Sequence, residues 1–89
     1  MKSHTTEKFR SLLAAATSER QAKIRNAYHL WRENPEHPSL RFKKVHPRLP
    51  IYSVRVDLNW RAVGALEGDT MLWFWIGPHS GYEALLKAL

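Results

Sequence analysis

IYSVRVDLNWRAVGALEGDTMLWFWIGPHSGY, residues 51 to 82, reads as three consecutive β-strands that run into a helix. In residues 51–57, Tyr52, Val54 and Val56 alternate with Ser53, Arg55 and Asp57, the period-2 pattern of a strand with two unlike faces. Leu58-Asn59 is expected to be a tight hairpin turn, with Trp60 to Leu66 as the return strand. Glu67-Gly68-Asp69 supplies the next turn. Thr70 to Ile76 is apolar on both faces, which suits an interior strand covered on both sides. Gly77-Pro78 stops it. Ser80 with Glu83 three residues on has the form of a capping box, opening a last helix from about residue 81 whose Leu85, Leu86 and Leu89 face the sheet.

Upstream, the pattern changes period. Phe9, Leu12, Leu13 and Ala16 recur at helical spacing after a cap at Thr5 or Thr6. Ser18 and Gln21 form another capping-box pair, and Ile24, Ala27, Tyr28 and Trp31 make the stripe of a second helix. Asn34-Pro35 ends that helix, because proline disfavours the helical region for the residue before it. In Leu40 to Val45 the alternation slips, which predicts a short or bulged strand. Residues 1–4 are expected to be frayed. The order α-α-β-β-β-β-α describes one domain, residues 1–89. Its class is α+β, two-layer, with a helical hairpin and a C-terminal helix on a mostly antiparallel four-stranded sheet.

Composition narrows the function classes. There is no cysteine, hence no disulfide framework and no thiolate metal site. No pair of His and acidic residues has metal-ligand spacing either, so neither a metal nor another cofactor is expected. The longest strongly apolar run, residues 71–76, is too short to cross a bilayer, and the polar start of the chain lacks a secretory pattern. A cytoplasmic protein with no membrane partner is the expectation. The net charge of +6 is unevenly placed: residues 1–48 hold eleven Lys/Arg against four acids, residues 49–89 three against four. Such asymmetry points to a polyanion, either nucleic acid or an acidic protein segment. A solvated basic face is the plain alternative.

The ordered set HPSLRFKKV, YSVRV, WRAVG, GDTMLWFWIG, then His79 and Tyr82, resembles the RelE/ParE superfamily of bacterial type II toxin–antitoxin toxins. The likeness runs from about Phe9 to the end of the chain. It implies a helical hairpin before a meandering sheet, and an antitoxin protein that wraps the toxin. One branch of that superfamily cleaves mRNA in the ribosomal decoding site; the other inhibits DNA gyrase. Its members open with a short edge strand, for which residues 1–6 look too polar, so that strand is expected to be missing or supplied by a partner.

RNA cleavage without metal requires a base for the 2′-OH proton, cations around the phosphate and an acid for the 5′ leaving oxygen. His79, at the strand-to-helix corner, stands where backbone N–H groups and the helix dipole favour a phosphate. It also falls on a His/Arg position of the superfamily. Arg61, after Trp60, matches a Tyr/Trp-Arg position, and Arg55 a basic one; each could clamp phosphate oxygens. Tyr82 is placed to stack on a base or orient a phosphate. Lys43, Lys44, His46 and Arg48 would guide an RNA backbone. The bland readings are a surface histidine, arginines paired with Asp57, Glu67 or a helix acid, a packing tyrosine and an exposed basic edge.

Three functions follow from the resemblance. The first is a ribosome-dependent mRNA endoribonuclease that inhibits translation, for which the catalytic set is His79, Arg61, Arg55 and Tyr82. The second is a gyrase inhibitor with no chemistry of its own. The third is a degenerate toxin that acts only as a binding module.

Overall fold

A computed structural model describes residues 1–89. The chain runs β1 (Lys2–Thr5), α1 (Glu7–Ala15), α2 (Ser18–Glu33), a 3-10 turn (Pro38–Leu40), β2 (Lys43–Lys44), β3 (Ile51–Arg55), β4 (Trp60–Glu67), β5 (Thr70–Pro78) and α3 (His79–Ala88). The five strands form one sheet in the order β1-β5-β4-β3-β2. β1 runs parallel to β5 and every other pair is antiparallel. The α+β class, the helical hairpin and the three consecutive strands match the expectation. No helix is long and apolar enough to cross a membrane.

Several details differ, each for a physical reason. The sheet has five strands, not four, because residues 2–5 are not frayed. Lys2 N–H donates to Asp69 O and Thr6 N–H to Trp73 O at either end of the β1–β5 ladder. A polar strand is tolerated there because an edge strand is held by its backbone on one side only, and Ser3 Oγ meets Tyr28 Oη at 2.6 Å. The edge strand is thus supplied by the chain itself. α2 is capped one residue earlier than expected, by Thr17 accepting from Arg20 N–H. Gln21 instead donates to the carbonyls of Leu13 and Ala16, tying the two helices together. β2 shrinks to two residues because the turn at 38–40 and a left-handed Arg41 (φ 46°) occupy the start of the expected strand.

The helices cover both faces of the sheet rather than one. The hairpin buries Phe9, Ile24, Ala27 and Trp31 against Leu40, Val54, Ala62, Met71, Trp73 and Ile76. Trp31 is the hub, with the Trp73 ring edge-on at 5.1 Å and Phe42 edge-on at 5.9 Å. α3 lies on the opposite face, where Tyr82, Leu85 and Leu86 pack against Ile51, Val63, Phe74 and Trp75. This explains the slipped alternation in residues 40–45: Phe42 stacks on Tyr52 on the hairpin face, while Val45 joins the α3 cluster. Period-2 patterning has one polar face only when one face of the sheet meets water.

Candidate functional site

On the α3 face, β3 ends and β4 begins with arginine. Arg55 and Arg61 are direct cross-strand partners, and Arg61 pairs in turn with Gly77 near the end of β5. Paired residues on adjacent strands project to the same side, so two guanidinium-bearing chains start from neighbouring points of one face. Neither has a carboxylate partner. The acid expected to neutralise them, Asp57, is bound instead to Arg20, with Lys23 Nζ at 3.8 Å. Arg61 spends one nitrogen, Nη1, on the carbonyls of Asp57 (2.9 Å) and Trp60 (3.1 Å), leaving its other donors free. Burial, then the like charge of Arg55, lowers the Arg61 guanidinium from its ordinary value; Arg41 adds to this, while Tyr82 and Asp57 act the other way.

Two more cations join this face. Arg41 acts electrostatically on Arg61, and Lys43 is the register partner of Ser53, two residues before Arg55. Four positive side chains, Arg41, Lys43, Arg55 and Arg61, thus gather with no acid in ion-pair reach. Arg41 went unrecognised as a site residue in the sequence. The signal available there is its place in the acid-free basic run of residues 37–48. Beside Arg55, a groove of about 400 Å³ runs between α2 and the 38–40 turn, with Lys23, Asn26, Ser39 and Asp57 on its walls.

His79 is the first residue of α3, not a residue ahead of it, and the helix begins two residues earlier than expected. Pro78 is its N-cap and offers no side-chain acceptor, so Ser80 does not cap. His79 N–H is taken by Asn59 O at 2.7 Å, which ties the start of α3 to the β3–β4 loop. The ring is exposed, and its Nδ1 lies 3.0 Å from Glu83 Oε1 one turn along. An Nδ1–H donated to that carboxylate leaves Nε2 as the ring nitrogen without a partner in the protein. Glu83 therefore orients the histidine rather than capping a helix. The spacing i, i+4 was the available signal for this role.

Tyr82 is 8% exposed, with its ring in the α3 cluster and its hydroxyl 3.4 Å from Ser53 Oγ. Its ring centroid lies 5.6 Å from that of His79, so the tyrosine packs against the histidine instead of presenting a free stacking face. The basic segment upstream divides. Lys43 belongs to the cationic face, while Lys44 pairs with Tyr52 and projects to the hairpin side. His46 accepts from the N–H groups of Arg48 and Leu49 through Nδ1, building the turn between β2 and β3. That turn, with the exposed Arg48, sits at the far end of β3 from Arg55.

Trp75 closes the corner between sheet and helix. A Cβ on Gly77 would stand 2.7 Å from the Trp75 ring, so the indole lies directly against the strand end from which His79 emerges.

Residues 18–84 match the family model of the ParE-like toxin domain. A comparison with curated proteins found no match. Among solved structures, the fold is similar to YafQ from E. coli strain BL21(DE3), at 12% identity and a TM-score of 0.74 over 91% of this chain and 96% of that one. It is similar to the toxin fold in the RelB-RelE antitoxin-toxin complex from Methanococcus jannaschii, at 15% identity and 0.71 over 91% and 95%. The YoeB/ParE toxin from Agrobacterium tumefaciens aligns at 16% identity and 0.69 over 89% and 99%. At these identities the likeness is one of fold, and the family model carries the assignment. With three quarters of its length under that model, the chain belongs to the ParE-like toxin domain family of the RelE/ParE toxin–antitoxin superfamily.

Proposed function

We propose that this toxin acts on RNA, cleaving mRNA on the ribosome by metal-free transesterification, and that a cognate antitoxin protein neutralises it. The observation that carries the reading is the unpaired Arg55–Arg61 couple beside a carboxylate-oriented histidine. Like charges facing each other across two strands oppose folding, and an anion bound between them relieves the repulsion. A scissile phosphate held by Arg55 and Arg61 brings the 2′-oxygen of the preceding ribose towards His79. Nε2 takes the 2′-OH proton, the oxygen attacks phosphorus, and the P–O5′ bond breaks to leave a 2′,3′-cyclic phosphate. Charge that develops on the phosphoryl oxygens falls to the arginines. Water in the decoding site protonates the leaving O5′.

The RelB-RelE structure contains an antitoxin with its toxin, which supports an antitoxin as partner here. The ParE-like name of the matched model favours a second reading, a gyrase inhibitor without chemistry. One experiment separates the two. The chain is expressed in a bacterium while mRNA 5′ ends and DNA damage are mapped together. Cuts confined to translated mRNA, lost in His79→Ala and Arg61→Ala with a fall of about 10²-fold or more, are expected. Intact mRNA with a DNA-damage response overturns the ribonuclease reading in favour of gyrase.

A further inference from the structure

The loop between β3 and β4, residues 56–59, fastens both halves of the candidate site. Its Asp57 carbonyl accepts from Arg61 Nη1 at 2.9 Å, and its Asn59 carbonyl accepts from His79 N–H at 2.7 Å. Where those two oxygens stand therefore bears on where the arginine and the histidine stand.

The shape of the loop rests on one carboxylate. Asp57 Oδ1 accepts the N–H groups of Asn59 (2.8 Å) and Trp60 (3.0 Å), an Asx-type turn that holds the four residues closed. Oδ2 is bound by Arg20, in the first turn of α2. The same guanidinium lies 4.7 Å over the Trp60 ring, so Arg20 grips the loop at two points. An Asx turn alone would be ordinary hairpin chemistry. What exceeds that role is the destination of the loop's carbonyls, which go to the two groups of the site instead of to water.

We infer that Asp57, anchored by Arg20, is a positioning residue that sets the placement of both the Arg61 guanidinium and the His79 ring. Its kinetic consequence rests on the ribonuclease reading above; the placement itself does not. Arg20 and Asp57 are 37 residues apart, so the device links the helical layer to the site. Neither side chain belongs to the cationic face.

Four variants test this: Asp57→Ala, Asp57→Asn, Arg20→Met, and Ile24→Val as a control that loses stability through the core. Two readouts are taken on each. The first is NMR of the free protein: exchange of the His79 amide, the His79 ring signals and the Arg61 Nε–Hε signal. The second is single-turnover cleavage on ribosomes, set against RNA binding.

Asp57→Ala is expected to speed His79 amide exchange by about tenfold or more and to shift both sets of side-chain signals. It should lower cleavage by about 10²-fold with binding changed by less than about threefold, the signature of misplacement. Asp57→Asn keeps an oxygen for the turn and is expected to restore most of the wild-type signals and rate. Arg20→Met should fall between them, and it carries the comparison if Asp57→Ala does not fold. Unchanged His79 and Arg61 signals in both Asp57→Ala and Arg20→Met overturn the inference, as does an Ile24→Val that reproduces their shifts. If the wild-type chain cuts nothing on ribosomes, the ribonuclease reading falls, and the NMR comparison still decides the placement.

Discussion

Arg55 and Arg61 face each other across β3 and β4 while the nearest carboxylate is committed elsewhere. A chain selected for stability alone would put unlike charges at such a pair. Removing one of the two separates stability from function. Arg55→Thr, which puts a β-branched residue into the strand, is expected to hold or raise stability by about 0.2–1 kcal/mol. The same change should weaken binding to single-stranded RNA. Thermal melts and anisotropy titrations on one preparation check both halves, and a marked loss of stability would show that Arg55 serves the fold. Asp57 behaves in the opposite way. Burial raises its carboxyl, but the Asn59 N–H, the Arg20 guanidinium, the Trp60 N–H and Lys23 outweigh that and hold it below the ordinary value. A folded pKa below the unfolded one contributes stability that is present above the unfolded value, and lost as pH falls from about 4 through the lowered one. Wild type should therefore exceed Asp57→Asn in urea melts at pH 7, and the gap should close as the pH is taken below that range.

At the level of elements, the junctions matter more than the strands. The β4–β5 register jumps between Val63 and Gly64: Val63 faces Trp75 and Gly64 faces Trp73, leaving Phe74 as the extra residue. That bulge sends Phe74 and Trp75 both to the α3 side, while Trp73 and Ile76 stay with the hairpin core. Gly64 lies in its crook. A Cβ there would stand 2.9 Å from Met71 Sδ, 2.9 Å from Trp73 Cε3 and 3.0 Å from the Leu72 carbonyl oxygen. Met71 and Trp73 are almost wholly buried and the carbonyl belongs to the sheet, so little can yield. Gly64→Ala is expected to cost about 1–3 kcal/mol, measured as a drop in the thermal midpoint. An unchanged midpoint would mean that the bulge adapts.

Over the whole molecule, the sheet separates two cores, and the candidate site lies at one end of the smaller one. The hairpin core supplies most of the fully buried side chains, including Trp31, Leu40, Met71 and Ile76. The α3 core is smaller, and its end near Arg55, Arg61 and His79 is rimmed by cations. A polyanion bound there by about three phosphate contacts releases counterions, giving a log–log salt slope of about −2 for a single strand. Lys43→Ala should make that slope shallower by about 0.7. Lys44→Ala, one residue on but on the hairpin side, should leave it nearly unaltered. Anisotropy of a labelled RNA across a potassium chloride series distinguishes the two. Equal effects would place the RNA along the strand edge instead of on the α3 face.

Local pattern determined a good deal of this protein. The alternation in residues 51–57, the apolar run 70–76 and the two helical stripes establish an α+β domain, because a side chain's facing within an element follows from the chain's own period. The same periodicity singled out Arg55 as a basic residue in the strand pattern, and residue order placed His79 at a corner. Tertiary structure alone decided the rest. β1 pairs through its backbone, which leaves no signature in KSHT. Asp57 goes to Arg20 rather than to the arginines beside it in sequence, and Tyr82 reaches Ser53 from 29 residues away. Helices on both faces turn what looks like a broken alternation in residues 40–45 into a regular one. Period is a property of neighbours along the chain, whereas the partner of a charge is whichever group folding brings within reach.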